Sequence, residues 1–293
     1  MKRRIVMQEE KSIVVLGPQG TNGHEAAAQF MQINARALNI CFCNSNAEIL
    51  PSVVNQTYDF GVTPIENSSM GIIRQIMDFW LQEHSDPSRV GIQVIGEVVL
   101  PVHHCLMVHS DTTSVEQVDT VISHPAALDQ CHNNLERLGL MVQVPSQSTA
   151  GAAAQVARQS GEKKNLAAIA SQFAADRYQL KVLEPMLHDR TGNSTRFHVI
   201  GRISTQPTGN DTTAILFWLP NKCGALARMI QIISSAECNM SCIHSIPLGE
   251  RSRYAFYVEF DGHQYDSVVN AMLQLIAATS QRLVVLGSFP KAC

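Results

Sequence analysis

The sequence predicts an α/β protein followed by a smaller α+β unit. Short β-rich runs alternate with helical stretches through the first two hundred residues, which implies largely parallel sheets with ligands at the strand C-terminal ends. A polar stretch at 202–211 then breaks the pattern. Beyond it the order becomes β-α-β-β-α-β within some eighty residues.

Taken in order, SIVVLG (12–17) reads as a buried strand and runs into a helix from Asn22 to Met31. DFGVTPIEN (59–67) leads from a strand to a polar loop. GIIRQIMDFWLQEH (71–84) carries apolar residues at 72, 73, 76, 77, 80 and 81, a helical period. VIGEVVLPVHHCLMVH (94–109) is a long strand-like run bent at Pro101. VDTVISHP (118–125) is another strand, and Pro125 opens a helix with Leu128, Cys131, Leu135 and Leu138 as its buried stripe and Gly139 as its stop. Ser148 caps an alanine-rich helix over 149–160, and Ser171 caps a short helix after the strand NLAAIAS. In the tail, TTAILFWL, MSCIHSIPL, YAFYVEF and LVVLGSF are strands. GALARMIQIISSA and SVVNAMLQLIAAT are the two helices that would cover one face of a four-stranded antiparallel sheet, the ferredoxin-like arrangement.

The chain has 293 residues, 45% hydrophobic and 16% charged, with a net charge of -3, so nothing points to nucleic acid or an anionic membrane as partner. Two tryptophans and five tyrosines are too few for a base-stacking surface. Glu9 and Glu10 interrupt the basic start before any long apolar stretch, which argues against a signal peptide, and no run approaches a membrane span. A soluble, cytoplasmic protein is expected. The eight cysteines include Cys41 and Cys43 around Phe42, and Cys238 and Cys242 four apart. None forms a zinc pattern with histidines, so no metal site is expected.

Four polar clusters could carry chemistry. GPQGTNGHEAAAQF (17–30) spaces Gly17, Gly20 and Gly23 as G-x-x-G-x-x-G, which fits neither a dinucleotide fingerprint nor a P-loop. A helix start can still receive any anion, a carboxylate included. DRTGNSTRF (189–197) presents Thr195 and Arg196 before a strand. It reads either as a surface turn or as a site in which the guanidinium forks onto a carboxylate. Glu66 and Asn67 sit in PIENSSMG, where Ser68 or Asn67 could equally be caps. Ser123 and His124 end a strand. Adjacent side chains on a strand point to opposite faces, so a hydrolase triad is rejected there.

In order along the chain, GPQGT with HEAA, PIENS..G, GE-V--PVHHCL, SHP--L-QC, ST---AA, AAIAS--AA and D---N-TRF together resemble prephenate dehydratase. The tail resembles the ACT regulatory domain that follows the catalytic domain in that family, with Gly224-Ala225-Leu226 as its GAL loop. No chorismate mutase segment precedes these motifs, so the likeness is to the monofunctional form. The resemblance implies a catalytic domain at 12–201 with two α/β lobes, like a type II periplasmic binding protein. Lobe 1 would be about 12–103 and 187–201, and lobe 2 about 104–186. An N-terminal extension (1–11), a linker (202–211) and the ACT domain (212–293) complete the expected layout.

The implied reaction is conversion of prephenate to phenylpyruvate in phenylalanine biosynthesis, by a carbon–oxygen lyase with no cofactor. The resemblance assigns Thr195, Arg196, Glu66 and Asn67 to catalysis, and Gly20, Thr21, Ser68, Ser123, Gln130 and Phe197 to substrate binding. Phenylalanine would bind near Gly224, Ala225, Leu226, Asn239, His244 and Ser245 at the interface of a homodimer or tetramer. The alternatives are a decarboxylase-like or arogenate-using relative, and a non-catalytic amino-acid or prephenate sensor. Several positions depart from the family's motifs. Asn22 and Gly23 replace a Phe and a Ser, Ile76 a Thr and Ala126 a Gln. His244-Ser245-Ile246-Pro247 replaces E-S-R-P.

Overall fold

The computed structural model describes residues 11–83, 91–159, 165–249 and 253–292. The N-terminal extension up to residue 10, and the expected helix ends at His84 and Ser160, lie outside the described residues.

The first elements are β1 (Ser12–Leu16), α1 (Asn22–Ile33), β2 (Asn39–Cys43), α2 (Asn46–Val54), β3 (Phe60–Asn67), β4 (Gly71–Ile72), α3 (Arg74–Glu83) and β5 (Gln93–Pro101). Then come β6 (Cys105–Val108), β7 (Thr120–Ser123), α4 (Pro125–Gln130), α5 (His132–Arg137), β8 (Gln143–Pro145), α6 (Thr149–Ala157), β9 (Leu166–Ala170), α7 (Gln172–Tyr178) and β10 (Lys181–Glu184). The chain returns through β11 (Ser194–Gly201). It finishes with β12 (Asp211–Trp218), α8 (Ala225–Ser235), β13 (Met240–Pro247), β14 (Tyr254–Asp261), α9 (Ser267–Thr279) and β15 (Arg282–Pro290).

These strands form three sheets. The first has the order β2-β1-β3-β11-β5 with β4 on β3, the second β10-β6-β9-β7-β8, and the third β13-β14-β12-β15. The expectation of largely parallel sheets fails for the second. There β7 is parallel to β8 and β9, but β6 is antiparallel to both β9 and β10. The reason lies in connectivity, because β6 and β10 are where the chain enters and leaves this sheet, directly after β5 and before β11. The run 94–109, read as one bent strand, is two strands in different sheets with the break after Pro101.

Small residues set the packing of the second sheet. Ala152, Ala153 and Val156 of α6 meet Ile122, Ala168 and Ala170 in one buried cluster, so helix and sheet approach without large side chains between them. The other face is filled by Leu106, Val121, Ile169, Leu128 and Leu135. In the third sheet, Ile215, Phe217, Val258 and Phe260 pack under Met229 and Ile233 of α8 and Met272 and Ile276 of α9. The strand order and the two helices on one face match the ferredoxin-like expectation. Its first strand begins at Asp211 rather than 212. The Asp211 carboxylate accepts from Thr208 N, Thr208 Oγ1 and Gly209 N, which draws it out of the polar stretch and into the fold.

Contacts divide the chain into two units, one of residues up to Ile49 with 62–73 and 99–197, the other of 50–61, 74–98 and 198–293. In this division 50–61 and 74–98 group with the C-terminal sheet. Within that second unit the cause is close backbone packing. Gly201 lies against Phe60 and Ile95, Ala292 N donates to Glu97 Oε1 at 2.9 Å, and β15 crosses β5 at Gly287. Gly287 has φ +151°, and a Cβ there would stand 2.2 Å from Val94 O. Gly287→Ala is therefore expected to lower stability by about 2–3 kcal/mol in urea unfolding, and an unchanged midpoint would refute the close approach.

Candidate active site

A cavity of about 350 Å³ opens within the first unit. Part of its wall is built from helix beginnings. Asn22 and Gly23 start α1, Asn46 starts α2, Ala126 and Ala127 lie in the first turn of α4, and Ser148 and Thr149 start α6. No Asp, Glu, Lys or Arg is among its lining residues. The site therefore presents positive dipole ends and neutral polar groups, which suit an anion held by backbone N–H groups.

Each helix start is fixed locally. Thr21 caps α1, its Oγ1 donating to Leu16 O at 2.8 Å and accepting from His24 N at 3.3 Å. Gly20 has φ +84°, and a Cβ would crowd Ala174 and Tyr178 at 3.1–3.3 Å, so glycine is required. Ser148 Oγ accepts from Gly151 N at 2.9 Å, and His124 Nδ1 accepts from Ala126 N at 3.2 Å. The backbone N–H groups of Asn22 and Gly23 have no partner among the described residues.

The polar floor comes from β3 and β11. Asn67 Nδ2 lies 3.0 Å from Thr195 Oγ1, 2.9 Å from Asn193 Oδ1 and 3.2 Å from Ser194 O. Thr195 is 8% exposed, and among the described residues its hydroxyl donates to no protein acceptor. Its oxygen is thus held as an acceptor while its proton is available to the cavity. Asn193 Nδ2 reaches Gln130 Oε1 at 3.3 Å, and His104 Nε2 meets the same oxygen at 2.9 Å. Burial chiefly, with His188 and His103 nearby, pushes the His104 pKa down, against the bond to Gln130, which raises it.

Of the residues assigned from sequence, Thr195, Asn67, Thr21, Gln130 and Phe197 line this cavity. Others do not. Arg196 follows Thr195 on a strand, so it points to the opposite face, where Nη2 pairs with Glu66 Oε2 at 3.1 Å. Neither Arg196 nor Glu66 lines the cavity. The Gly20 N–H is consumed by His24 Nδ1 at 3.0 Å. Ser68 Oγ accepts from Ser194 N at 2.9 Å and lines an adjoining polar pocket of about 500 Å³ with Asp129, His132 and Arg190, which shares Val102, Gln130 and Asn193 with the cavity. Ser123 is fully buried and donates to Ile169 O at 2.7 Å, a structural bond between β7 and β9.

Gly224 (φ +76°), Ala225 and Leu226 begin α8, Asn239 precedes β13, and His244 and Ser245 lie on that edge strand. None of these six lines the cavity.

Sequence reasoning gave no role to His104, His124, Asn193 or Asn46, although His124 stands in one of its polar clusters and His104 and Asn193 stand inside the motifs PVHHCL and D---N-TRF. His104 had a signal, a pair of histidines two residues after Pro101 inside an apolar run. Asn46 had no such signal and needed the fold. Asn22, Gly23 and Ala126, three of the positions that depart from the motifs, all line the cavity, whereas Ile76 is a buried core residue of α3.

The class of protein is thus an α/β mixed-sheet protein with an uncharged, anion-receptive cavity and a ferredoxin-like C-terminal sheet. The family model for prephenate dehydratase matches residues 13–205. The bifunctional chorismate mutase/prephenate dehydratase of Aquifex aeolicus is 32% identical over 98% of this chain and 75% of that protein. Among solved structures, the quorum-quenching acylase GqqA matches with a TM-score of 0.81 and 25% identity, covering 96% of this chain and 98% of that one. Prephenate dehydratase from Arthrobacter aurescens in complex with L-Phe matches at 0.80 and 26%, covering 96% and 90%. The chain belongs to the prephenate dehydratase family.

Ser123→Ala is expected to cost about 1 kcal/mol of stability and to leave turnover unchanged, a result opposite to that of a binding residue. Burial also lowers the pKa of His24 and His188. Folded values below the unfolded value of about 6.5 mean that the unfolded chain binds more protons below that pH. Stability is then full above about pH 6.5 and falls as the pH drops into the window below it. A urea midpoint that stays flat from pH 7 to 5.5 would contradict this.

Proposed function

We propose that this chain is a prephenate dehydratase, a carbon–oxygen lyase that converts prephenate to phenylpyruvate. The observation that supports it most directly is the Thr195 hydroxyl, held by Asn67 with its proton free toward a cavity of helix N-termini that carries no charged side chain. Prephenate carries two carboxylates, which Asn22, Gly23 and Thr149 would receive through backbone N–H groups and their dipoles. In the reaction the bond from the ring to its carboxylate breaks, and its electron pair moves through the ring to expel the hydroxyl opposite. One proton joins the leaving oxygen, giving carbon dioxide, water and the aromatic product. Thr195 donates the hydrogen bond that helps this oxygen depart, worth about 3 kcal/mol in a dry cavity. Aromatisation supplies the driving force.

The first two sheets are read as the two lobes, joined by crossings after β5 and before β11, and the third as an ACT domain. Phenylalanine is its effector, acting on a homodimer or tetramer, with a coupling of about 1–3 kcal/mol between sites. We assign the enzyme to the cytoplasm, and no helix among the described residues is long and apolar enough to cross a membrane. Decarboxylation without dehydration is disfavoured by the donor aimed at the leaving group. An acylase reading finds no support in the cavity, since the nearest partner of Thr195 Oγ1 is an amide and not a base.

The test is phenylpyruvate formation from prephenate at neutral pH, with and without phenylalanine. Thr195→Ala should lose about a hundredfold in kcat with prephenate binding retained. Equal inertness of wild type and variant, with prephenate still bound, would instead make the protein a sensor.

A further inference from the structure

The orientation of every side-chain amide in the cavity floor follows from two backbone groups. Ser69 N and Met70 N can only donate, and they lie 3.0 and 3.1 Å from Asn67 Oδ1. Asn67 must therefore turn Nδ2 toward Asn193 Oδ1, 2.9 Å away. That leaves Asn193 Nδ2 to donate to Gln130 Oε1 at 3.3 Å. The atom His104 Nε2 meets at 2.9 Å is thus an acceptor already engaged by one donor, so His104 must carry its proton on Nε2. With Oε1 occupied twice, Gln130 keeps Nε2 for a ligand, and no acceptor among the described residues takes it. His104 cannot swing away easily. It is 7% exposed, its N donates to His188 Nδ1 at 3.4 Å and its O accepts from Leu187 N at 2.8 Å.

We propose that His104 is a positioning residue that, by donating from Nε2 to Gln130 Oε1, holds the Gln130 amide so that its N–H groups face a carboxylate of the substrate. This rests on the dicarboxylate substrate argued above. Without the imidazole donor, Gln130 can turn its amide over and offer oxygen to an anion, replacing an attraction by a repulsion.

The test compares KM and kcat for prephenate in wild type, His104→Gln, His104→Leu, Gln130→Leu and the double variant His104→Leu/Gln130→Leu. A glutamine at 104 can still donate, so it should stay near wild type, whereas leucine should raise KM about tenfold with little change in kcat. In the Gln130→Leu background, His104→Leu should add nothing. Equal losses in both His104 variants, or a loss that adds in the double variant, would mean packing alone and overturn the proposal. Imidazole ¹⁵N NMR of the wild type without substrate gives a reading independent of activity. A proton on Nε2 of His104 at neutral pH supports the proposal, and one on Nδ1 overturns it. If prephenate is neither bound nor converted, the dehydratase reading fails, and the tautomer still decides whether His104 sets Gln130.

Discussion

Everything the cavity can do depends on the clasp between the end of β3 and the start of β11. Ser68 N donates to Ser194 O, and Ser194 N to Ser68 Oγ, both at 2.9 Å. Between these bonds Asn67 reaches three acceptors with one amide nitrogen. A bond of this kind contributes only about 1 kcal/mol net, but a buried donor left unmade costs more, so the arrangement is rigid rather than strong. Thr195 inherits its orientation from it, and so does the amide chain through Asn193 to Gln130.

The second constraint is electrostatic. The dicarboxylate proposed as substrate would ordinarily call for an arginine, yet the guanidinium nearest in sequence, Arg196, is neutralised by Glu66 on the other face of its strand. Helix N-termini take its place. They bring fixed partial charges that cost no side-chain entropy and need not reorganise, which suits the leaving-group assistance proposed above. Without a mobile cation in the wall, the exact aim of neutral donors such as Thr195 and Gln130 matters more.

β11, which carries Thr195 and Phe197 at the cavity, continues to His198, whose ring is wholly buried. There His198 Nε2 stands 3.5 Å from Glu259 Oε1, and Tyr257 donates to the same carboxylate. Phe289 packs against the imidazole at 5.4 Å between ring centroids. Both His198 ring nitrogens are buried without a hydrogen-bond partner among the described residues, so the imidazole is held by packing and by the charge of Glu259 alone.

The sequence by itself determined the elements and the family. Periodicity marked most strands and helices, Ser148 and Ser171 announced their caps, and the ordered motifs from GPQGT to TRF identified the family. It also singled out Thr195 and Asn67, because both sit at strand ends in polar stretches. Only the tertiary structure decided which neighbours of those residues face the cavity. Strand alternation sends Arg196 away, and a sheet-internal bond removes Ser123. The approach of segments 26 to 126 residues apart links the amides of Asn67, Asn193 and Gln130 to the His104 imidazole. Such a chain has no local signature, since its bonds join residues that nothing in the linear order brings together.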